Sequence, residues 1–315
     1  MKDQTLSCGV LNLYKPAGMT SFQAVSQVKR MTGVKKCGHA GTLDPDAQGV
    51  LPVFLGTATG ACNYLEDEQK EYQAEILLGF GTDTDDLSGR ITCISDYDIS
   101  YQRFMDCLSD FTGDLYQLPP AYSAVKVKGR KLYEYARQGN TEIIVPKRKV
   151  TVHSISIMPQ EGYRYIVKKD DNEYQVSRFN SVIRCSRGTY IRSLCRDIGQ
   201  ALGTCGCMGN LIRTESGPYR IEDAIRFEDL KDSAEKALLP VADLFSKYEK
   251  VELNKKQAED YLNGKKFIID KNIKEERQTV AVNMQEHGFI GMGELIAEES
   301  VCYLKGKKLF CHPFI

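Results

Sequence analysis

Residues 38–52 read GHAGTLDPDAQGVLP, and the chain around this stretch changes its pattern. Residues 34–50 show little apolar periodicity and hold three glycines and one proline, which predicts a structured loop. Loops positioned by a rigid scaffold are where binding and catalytic side chains concentrate. Asp44 is the candidate catalytic carboxylate of this loop. The alternative interpretation is a turn aspartate, because aspartate before proline is common in turns.

The segments before the loop predict a strand, a turn and a helix. Residues 9–14 (GVLNLY) are typical of a short buried strand, and residues 15–18 (KPAG) of a turn. Ser21 is predicted to cap a helix that runs through Arg30, with Gly33 just past its end. The loop is therefore expected to follow directly on a strand–helix unit.

Helices and strands alternate irregularly through the rest of the first two thirds of the chain. Residues 72–78 alternate apolar and polar side chains, which predicts a strand with one buried face. Further helices are predicted over 101–112, 131–138 and 190–202, and further strands near 149–158, 163–168 and 181–186. Because neighbouring strands look hairpin-linked, we expect an α+β fold with a mixed, largely antiparallel sheet flanked by helices.

The last part of the chain has a different pattern. A boundary is predicted near residues 236–245, followed by one helix over 255–262 and several short strands broken by glycines. This pattern is typical of a small β-barrel-like domain. We therefore expect one domain over residues 1–238 and a second over residues 239–315.

Composition excludes several classes of protein. The chain has 315 residues, and its 42 basic and 42 acidic side chains cancel, which argues against nonspecific coating of nucleic acid. The 11 cysteines are irregularly spaced, and Cys205 and Cys207 lack the gap of a zinc knuckle, so free thiols and no metal are predicted. Without a signal peptide or an apolar span in the sequence, a cytoplasmic protein is expected.

Five groups of residues resemble the TruB family of tRNA pseudouridine synthases. They are 13–21 (LYKPAGMTS), 38–45 with 49–52, 70–72 with 82–86, 117–126, and 185–194 with 211–213. The resemblance covers most of residues 9–245 and implies the pseudouridine synthase fold, a thumb-like RNA-binding segment at about 117–150, and a PUA-like C-terminal domain. It implies isomerisation of uridine to pseudouridine, in which the C1′–N1 bond breaks, the base rotates and a C1′–C5 bond forms.

The resemblance assigns catalytic roles to three residues. Asp44 is the essential carboxylate, which attacks C1′, takes a proton from C2′, or adds to C6; the residues do not choose among these routes. Arg192 is expected to pair with Asp44 and to lower its pKa, as a neighbouring guanidinium does. Tyr72 is expected to stack on the uracil and to help remove the C5 proton. The alternatives are a surface helix arginine and a core tyrosine.

Substrate contacts are implied for a further set of residues. They are His39, Tyr190, Leu211, Asp86, Lys15, Lys126 and Arg130. The target base must be extruded from an RNA loop, and His39 is expected to fill the vacated stack. Tyr190 and Leu211 are expected to surround the flipped base, although both also suit a plain core. Asp86 is expected to join the Arg192 network, with a solvated turn as the alternative.

The chain departs from the family pattern at three places. Gly60 and Ile212 stand where the family usually carries Lys and Arg, so two positive charges are missing. Residues 159–182 form a longer segment than usual and are predicted to be an extended hairpin of unknown purpose.

The expected function is isomerisation of uridine 55 in the tRNA T-loop by a monomer that needs no cofactor, no metal, no obligatory protein partner and no membrane. Isomerisation is redox-neutral and adds no atoms, so the chemistry requires neither a cofactor nor a metal. Two alternatives are a dyskerin-like synthase that depends on a guide RNA, and a tRNA-folding chaperone whose chemistry matters little. The intact set of Asp44, Tyr72 and Arg192 favours retained catalysis.

Overall fold

The computed structural model describes residues 8–66, 69–139, 143–234, 236–285, 287–298 and 301–310. Its strands, in chain order, are β1 (Cys8–Lys15), β2 (Cys37–His39), β3 (Gln48–Gly56), β4 (Lys70–Leu78), β5 (Phe80–Thr82), β6 (Ile91–Ile94), β7 (Gly113–Gln117), β8 (Lys126–Val127), β9 (Arg130–Lys131), β10 (Arg148–Ile157), β11 (Arg164–Lys169), β12 (Asn172–Cys185), β13 (Gly206–Ser216), β14 (Tyr219–Arg220), β15 (Leu238–Leu239), β16 (Lys250–Leu253), β17 (Phe267–Ile268), β18 (Arg277–Met284), β19 (Gly288–Glu298) and β20 (Val301–Leu309).

The helices flank these strands. They are α1 (Ser21–Thr32), α2 (Cys62–Glu66), α3 (Tyr101–Leu108), α4 (Leu132–Arg137), α5 (Ile191–Ala201), α6 (Phe227–Ser233) and α7 (Lys255–Leu262), with short 3-10 turns at Thr57–Ala61, Ser109–Phe111, Ile221–Asp223 and Val241–Phe245. Among the described residues, no helix has the length and apolar character needed to cross a membrane.

Eleven of the described strands before residue 240 build one large mixed sheet, while β5 pairs with β6 and β8 with β9 in two separate two-stranded sheets. The order of the large sheet is β15-β1-β3-β13-β4-β12-β10-β7, with β2, β11 and β14 pairing at its sides. Strand β13 runs parallel to β3 and antiparallel to β4, and the other pairs in this sheet are antiparallel. The predicted α+β class with a largely antiparallel sheet is confirmed.

The main core lies between this sheet and helices α1, α3 and α5. Leu11 and Leu13 of β1 and Phe179 of β12 are fully buried in it. Phe104 of α3 stacks on Phe179 with ring centroids 3.8 Å apart. Such aromatic contacts add to the free energy gained by removing the rings from water. This core fixes the central strands β3, β13 and β4 and the start of α5, which carry the candidate site.

The start of α1 differs from the prediction. Thr20, not Ser21, caps the helix, since its side chain accepts a hydrogen bond from the Gln23 amide. Ser21 Oγ is engaged elsewhere: it donates to the Leu43 carbonyl over 3.0 Å and accepts from the Leu43 amide over 2.9 Å. The side chain predicted to be a cap therefore anchors the loop next to Asp44.

Other element bounds shift more modestly. The predicted loop over 34–50 contains β2 and the start of β3, and the predicted helix over 101–112 ends at Leu108 before a 3-10 turn. The predicted strand over 181–186 is the end of the much longer β12. The extended hairpin predicted for 159–182 is confirmed as β11 and β12, which turn at Asp170 and Asp171 with positive φ.

The C-terminal strands form a second sheet of order β16-β18-β19-β20-β17 that curls into a half-barrel, with α7 against it. Cys8 Sγ donates to the Phe310 carbonyl over 3.3 Å. Phe54, Phe245 and Phe310 share a second apolar cluster that also contains Val10. The two parts of the chain are thus in contact, and the division at residues 238 and 239 stays a prediction.

The cysteines correct one expectation. Cys93 in β6 and Cys205 just before β13 form a disulfide, so the prediction of free thiols is wrong for this pair. The two residues are 112 positions apart in the sequence, and only the fold brings β6 beside the start of β13. Among the other described cysteines, free thiols are carried by Cys37, Cys107, Cys185, Cys195, Cys207 and Cys302.

Candidate active site

Asp44 lies in the loop between β2 and β3, and three long-range contacts hold that loop in place. Ser21 bonds both polar backbone groups of Leu43, as described above. The amide of Gly18 donates to the Pro45 carbonyl over 3.0 Å. These contacts fix the backbone on either side of Asp44 without using its carboxylate.

Lys15, at the end of β1, also binds the backbone of this loop. Its side chain is fully buried, and its Nζ donates to the carbonyls of Pro16, Met19 and Pro45 over 2.8, 2.8 and 2.9 Å. Burial lowers the pKa of Lys15 to about 8, while the negative charges of Asp46 and Asp44 act to raise it. The ammonium is therefore still mostly protonated at neutral pH, and all its hydrogens bind backbone. Its implied substrate contact stays a prediction.

A second buried cation, Arg213 of β13, holds the other side of the loop. Its Nε donates to the Val50 carbonyl over 2.7 Å and its Nη2 to the Gly41 carbonyl over 2.9 Å. Gly49 allows this approach, since it has a φ of +101° and a Cβ there would meet the Arg213 carbonyl at 2.2 Å. Sequence reasoning assigned no role to Arg213, although it closed one of the matching segments.

Arg192, in the first turn of α5, binds Asp44 with two nitrogens. Its Nε lies 3.0 Å from one carboxylate oxygen, and its Nη2 donates to the other over 3.1 Å. The predicted ion pair is present, in the planar two-point geometry that lysine cannot make. The guanidinium also donates to the carbonyls of Thr84 and Tyr122, each over 3.2 Å.

Asp86 is the second carboxylate beside Arg192. One of its oxygens lies 3.4 Å from Arg192 Nη1. The other oxygen accepts hydrogen bonds from Thr84 Oγ1 and from the backbone amide of Ser88. The structure therefore brings Asp86 into the Arg192 network. Its implied contact with substrate stays a prediction.

Two opposing effects set the pKa of Asp44. Surrounding protein desolvates the carboxylate and raises its pKa above the usual value, and this outweighs the lowering by Arg192. Asp86 also acts to raise the pKa, while Lys15 acts to lower it. The expected lowering of the Asp44 pKa by Arg192 is present, and desolvation by the cleft is the larger effect.

A parallel ion pair lies one helical turn further along α5. Arg196 Nη1 binds Asp85 over 2.8 Å, and its Nη2 binds Asp197 over 2.8 Å. Asp85 has a φ of 61°, an unusual conformation for a residue with a side chain. The sequence contains a pattern that predicts this pair. Arg192 and Arg196 are four residues apart, which places them on one face of a helix, and residues 83–86 form an acidic run with which they can pair.

Asp44 opens onto two adjoining cavities of about 1000 Å³ and about 330 Å³. The residues that line both are Asp44, Tyr122, Tyr133, Arg192, Met208 and Leu211. Tyr72 and Tyr190 line the smaller one, together with Arg213. The structure thus brings together Asp44, Arg192, Tyr72, Tyr190 and Leu211, and Asp86 lines the larger cavity.

Tyr72, on β4, is 8% exposed. Burial raises its pKa, and Arg213 beside it acts in the opposite direction. The phenol of Tyr72 is therefore protonated before substrate binds. A protonated ring can stack on the uracil, whereas a general-base role requires that the phenol first lose its proton. Both roles stay predictions.

Tyr190 is positioned by a reciprocal pair of hydrogen bonds. Its amide donates to Gln117 Oε1 over 2.8 Å, and Gln117 Nε2 donates back to its carbonyl over 2.9 Å. This pair ties the start of α5 to the end of β7, where the thumb-like segment begins.

His39 lies in β2, outside the residues that line the two cavities. Burial and the charge of Arg213 lower its pKa. The imidazole of His39 is therefore uncharged at neutral pH, and an uncharged ring is able to stack on nucleobases. Its stacking role stays a prediction.

The thumb-like segment carries exposed cations. Lys126 and Arg130 lie on the short β8–β9 hairpin, both exposed and outside the cavity linings. The Arg130 guanidinium lies 4.8 Å from the centre of the Tyr135 ring. Tyr133 and Arg137 of α4 line the larger cavity instead. Sequence reasoning named Lys126 and Arg130 as the substrate-contacting cations of this segment and did not name Arg137.

No cluster of three or more His, Cys, Asp or Glu side chains that could hold a metal ion occurs among the described residues. The charge missing at Gly60 has a structural counterpart: a Cβ at this position would meet Lys308 Cε at 2.5 Å. A cation from β20 therefore occupies the space beside Gly60.

Comparisons with known proteins cover nearly the whole chain. A family model described as TruB family pseudouridylate synthase, N-terminal domain, matches residues 29–191. A second, described as tRNA pseudouridylate synthase B C-terminal domain, matches residues 192–243.

Two curated relatives are named tRNA pseudouridine synthase B. The protein of Caldanaerobacter subterraneus subsp. tengcongensis is 40% identical over 304 residues, which span 96% of this chain and 99% of the relative. The protein of Geobacillus kaustophilus is 41% identical over 263 residues, which span 81% and 89%.

Solved structures agree on the fold. A Cbf5–Nop10–Gar1 complex aligns with a TM-score of 0.71 and 26% identity over 99% of this chain and 87% of the matched chain. An H/ACA ribonucleoprotein bound to a substrate RNA containing 2′-deoxyuridine aligns with a TM-score of 0.69 and 24% identity, over 97% and 86%.

Proposed function

The chain belongs to the TruB family of pseudouridylate synthases, and on that premise we propose that it isomerises uridine to pseudouridine in tRNA, at position 55 of the T-loop. The relatives that match at about 40% identity over nearly their full length are named as tRNA enzymes. The alternative of a guide-RNA-dependent synthase has less support, since it rests on structural neighbours of lower identity.

The observation that carries the proposal is the two-point ion pair between Asp44 and Arg192 at the meeting of the two cavities. The pair leaves 37% of the Asp44 side chain open to the cleft, so a carboxylate oxygen is accessible to a nucleotide. A chaperone that only binds tRNA has no need of a carboxylate held this way. The arrangement therefore favours catalysis over binding alone.

In the proposed reaction a uridine leaves the RNA loop and enters the site between Tyr72, Tyr190 and Leu211. Extrusion costs a few kcal/mol, which contacts with the base and backbone must offset. Asp44 then acts at the ribose or the base, the C1′–N1 bond breaks, and the base turns so that C5 faces C1′. The C1′–C5 bond forms, the proton leaves C5, and N1 gains a proton. The sum is redox-neutral, so the proposed reaction uses no cofactor.

We further propose that the protein works as a monomer in the cytoplasm, without an obligatory protein partner. Light scattering on the purified protein would test the oligomeric state, and a stable dimer would overturn that part of the proposal.

The test of the function is incubation of the purified chain, alone, with an unmodified tRNA transcript, followed by base-resolution mapping of pseudouridine. We expect one product, at position 55. Tight binding without pseudouridine would favour the chaperone, whereas activity that appears only after addition of a guide RNA would favour the dyskerin-like alternative.

A further inference from the structure

One wall of the larger cavity has no part in the site described so far. From Asp44 the cavity extends to β11, where Tyr165, Ile166 and Lys168 line it. These residues belong to the long hairpin that distinguishes this chain. Tyr165 and Ile166 are 41% and 47% exposed, so both offer apolar surface to a ligand in the cavity.

The ring of Tyr165 is backed by a cation on one face. The Arg178 guanidinium of β12 lies 3.9 Å from the ring centre. Arg178 Nη1 lies 3.4 Å from the carboxylate of Glu75. That carboxylate also accepts a hydrogen bond from the backbone amide of Asn210 over 3.0 Å. With one face covered and the residue lining the cavity, the ring offers its free side to the cleft.

The hairpin that carries Tyr165 is fixed to the body of the protein. Val167, on the same face of β11, is buried with Leu77 of β4 and Phe80. Lys169 Nζ donates to the Leu87 carbonyl over 2.9 Å, which ties the hairpin to the loop that contains Asp86. The ring is therefore preorganised, and binding to it costs little conformational entropy.

We propose that Tyr165, backed by Arg178, is a stacking platform for an unpaired nucleobase of the RNA, next to the uridine that enters the Asp44 site. The proposal rests on the function proposed above. An aromatic ring accepts any base through its π-face, and a guanidinium behind the ring strengthens such contacts.

The charges on the hairpin favour a base over a phosphate as the bound group. Lys168 pairs with Glu173 over 3.0 Å, and Arg164 pairs with Asp98 over 3.2 Å. Lys169 is engaged with the Leu87 carbonyl. Each of these cations thus has a partner on the protein, and the tyrosine ring supplies the aromatic surface of this part of the wall.

The first experiment measures affinity for the tRNA transcript at two salt concentrations. Tyr165→Ala is expected to weaken binding by about tenfold, as loss of one stacked base does, and Tyr165→Phe is expected to bind like the wild type. The salt dependence should be unchanged, since no phosphate contact is lost. Tyr101→Ala is the matched control, because Tyr101 is 42% exposed and does not line the cavity.

The second experiment locates the base. T-loop minihelices with a single abasic nucleotide, placed at each unpaired loop position in turn, are bound to wild type and to Tyr165→Ala. At the position that stacks on Tyr165, removal of the base should cancel the effect of the substitution. Equal affinity of Tyr165→Ala and wild type, or the same loss with every abasic RNA, overturns the platform.

Assay of pseudouridine on the same transcript separates this inference from the proposed function. If the wild type forms pseudouridine and Tyr165→Ala binds normally, the platform alone fails. If the wild type binds without forming pseudouridine while Tyr165→Ala binds about tenfold more weakly, the catalytic proposal fails and the platform stands.

Discussion

The Asp44 loop and the thumb-like segment use the same kinds of side chain in opposite ways. Beside the loop, Lys15 of β1 and Arg213 of β13 are fully buried and donate to backbone carbonyls. In the thumb, Lys126 and Arg130 are exposed, and Arg130 lies against the Tyr135 ring. A buried cation fixes geometry because every lost bond leaves a carbonyl unsatisfied. An exposed one adds charge for phosphates and remains free to move.

The difference in burial separates two functions of the cations, which are to hold the catalytic loop and to bind RNA phosphates. The sequence alone does not distinguish them. Substitutions in the loop should change the rate of the chemical step or the stability of the fold. Substitutions in the thumb should change affinity and its salt dependence. Each of the following predictions tests that division.

Asp44→Asn should have the largest effect. The amide keeps the size of the side chain but supplies no carboxylate, so turnover should fall by more than about a hundredfold. Affinity for tRNA should stay within about threefold, because binding rests on many phosphate and stacking contacts. Single-turnover assays and filter binding measure the two quantities. Activity above about one percent of wild type would contradict the assignment of Asp44.

Arg192→Lys should lower the saturated rate far more than the affinity. Lysine keeps the positive charge but cannot bind both Asp44 oxygens in a plane. We expect a rate loss of about ten- to a hundredfold, on the basis of a misoriented catalytic group. A strong loss of affinity with an intact saturated rate would instead make Arg192 an RNA-backbone contact.

The pH–rate profile sharpens the same prediction. Because burial raises the pKa of Asp44, activity should fall on acidification at a pH above the ordinary aspartate range. In Arg192→Lys the acidic limb should move only modestly, since the charge remains, while the plateau drops. Arg192→Met, which removes the charge, should move the limb to higher pH. An unmoved limb in Arg192→Met would show that the guanidinium does not act on Asp44.

Lys15→Met should reduce both stability and rate, with less effect on rate than the two changes above. Methionine fills a similar volume but leaves three carbonyls without their donor. Unfolding free energy should fall by about 2–5 kcal/mol. Lys29→Met, at an exposed position on α1, is the control and should change stability by less than about 0.5 kcal/mol. Denaturant unfolding followed by circular dichroism measures both variants.

Arg130→Ala, in the thumb, should weaken tRNA binding a few-fold and leave the saturated rate unchanged. Loss of one phosphate contact should also flatten the slope of log affinity against log salt by about one. Titrations at several salt concentrations measure the slope. A reduced rate at saturating tRNA would break the division between loop and thumb.

Chelation should have no effect at all. Isomerisation neither changes redox state nor adds atoms, so we expect the same rate with and without EDTA after exhaustive dialysis. Recovery of a lost rate on addition of zinc would contradict a metal-free mechanism.

The features that could be predicted from the sequence are those with a local signal. Helix α7 was predicted with its observed bounds, Lys255 to Leu262, because its apolar spacing and its cap lie within a few residues. The pairing of Asp44 with Arg192 was available from long matching segments. Local patterns and motifs each carry their information in adjacent residues.

The features that could not be predicted depend on contacts between distant segments. Ser21 was assigned to a helix cap, because its bond to Leu43 has no sequence signature. The buried states of Lys15 and Arg213, the pairing of Arg196 with Asp85 and the raised pKa of Asp44 all follow from how the strands and α5 surround one loop. Desolvation is a property of that enclosure, so no motif reveals its size.

The bond from Cys8 to the Phe310 carbonyl joins residues 302 positions apart, and β1 pairs with β15 as well as with β3. During synthesis the first strand therefore leaves the ribosome long before its last partners exist. Contacts of such high sequence separation slow folding and expose unpaired strand edges in the meantime. In this protein β1 pairs with β15 only after residues 238–239 have been made, so the side of β1 that β15 covers stays unpaired until then and needs protection from aggregation in the nascent chain.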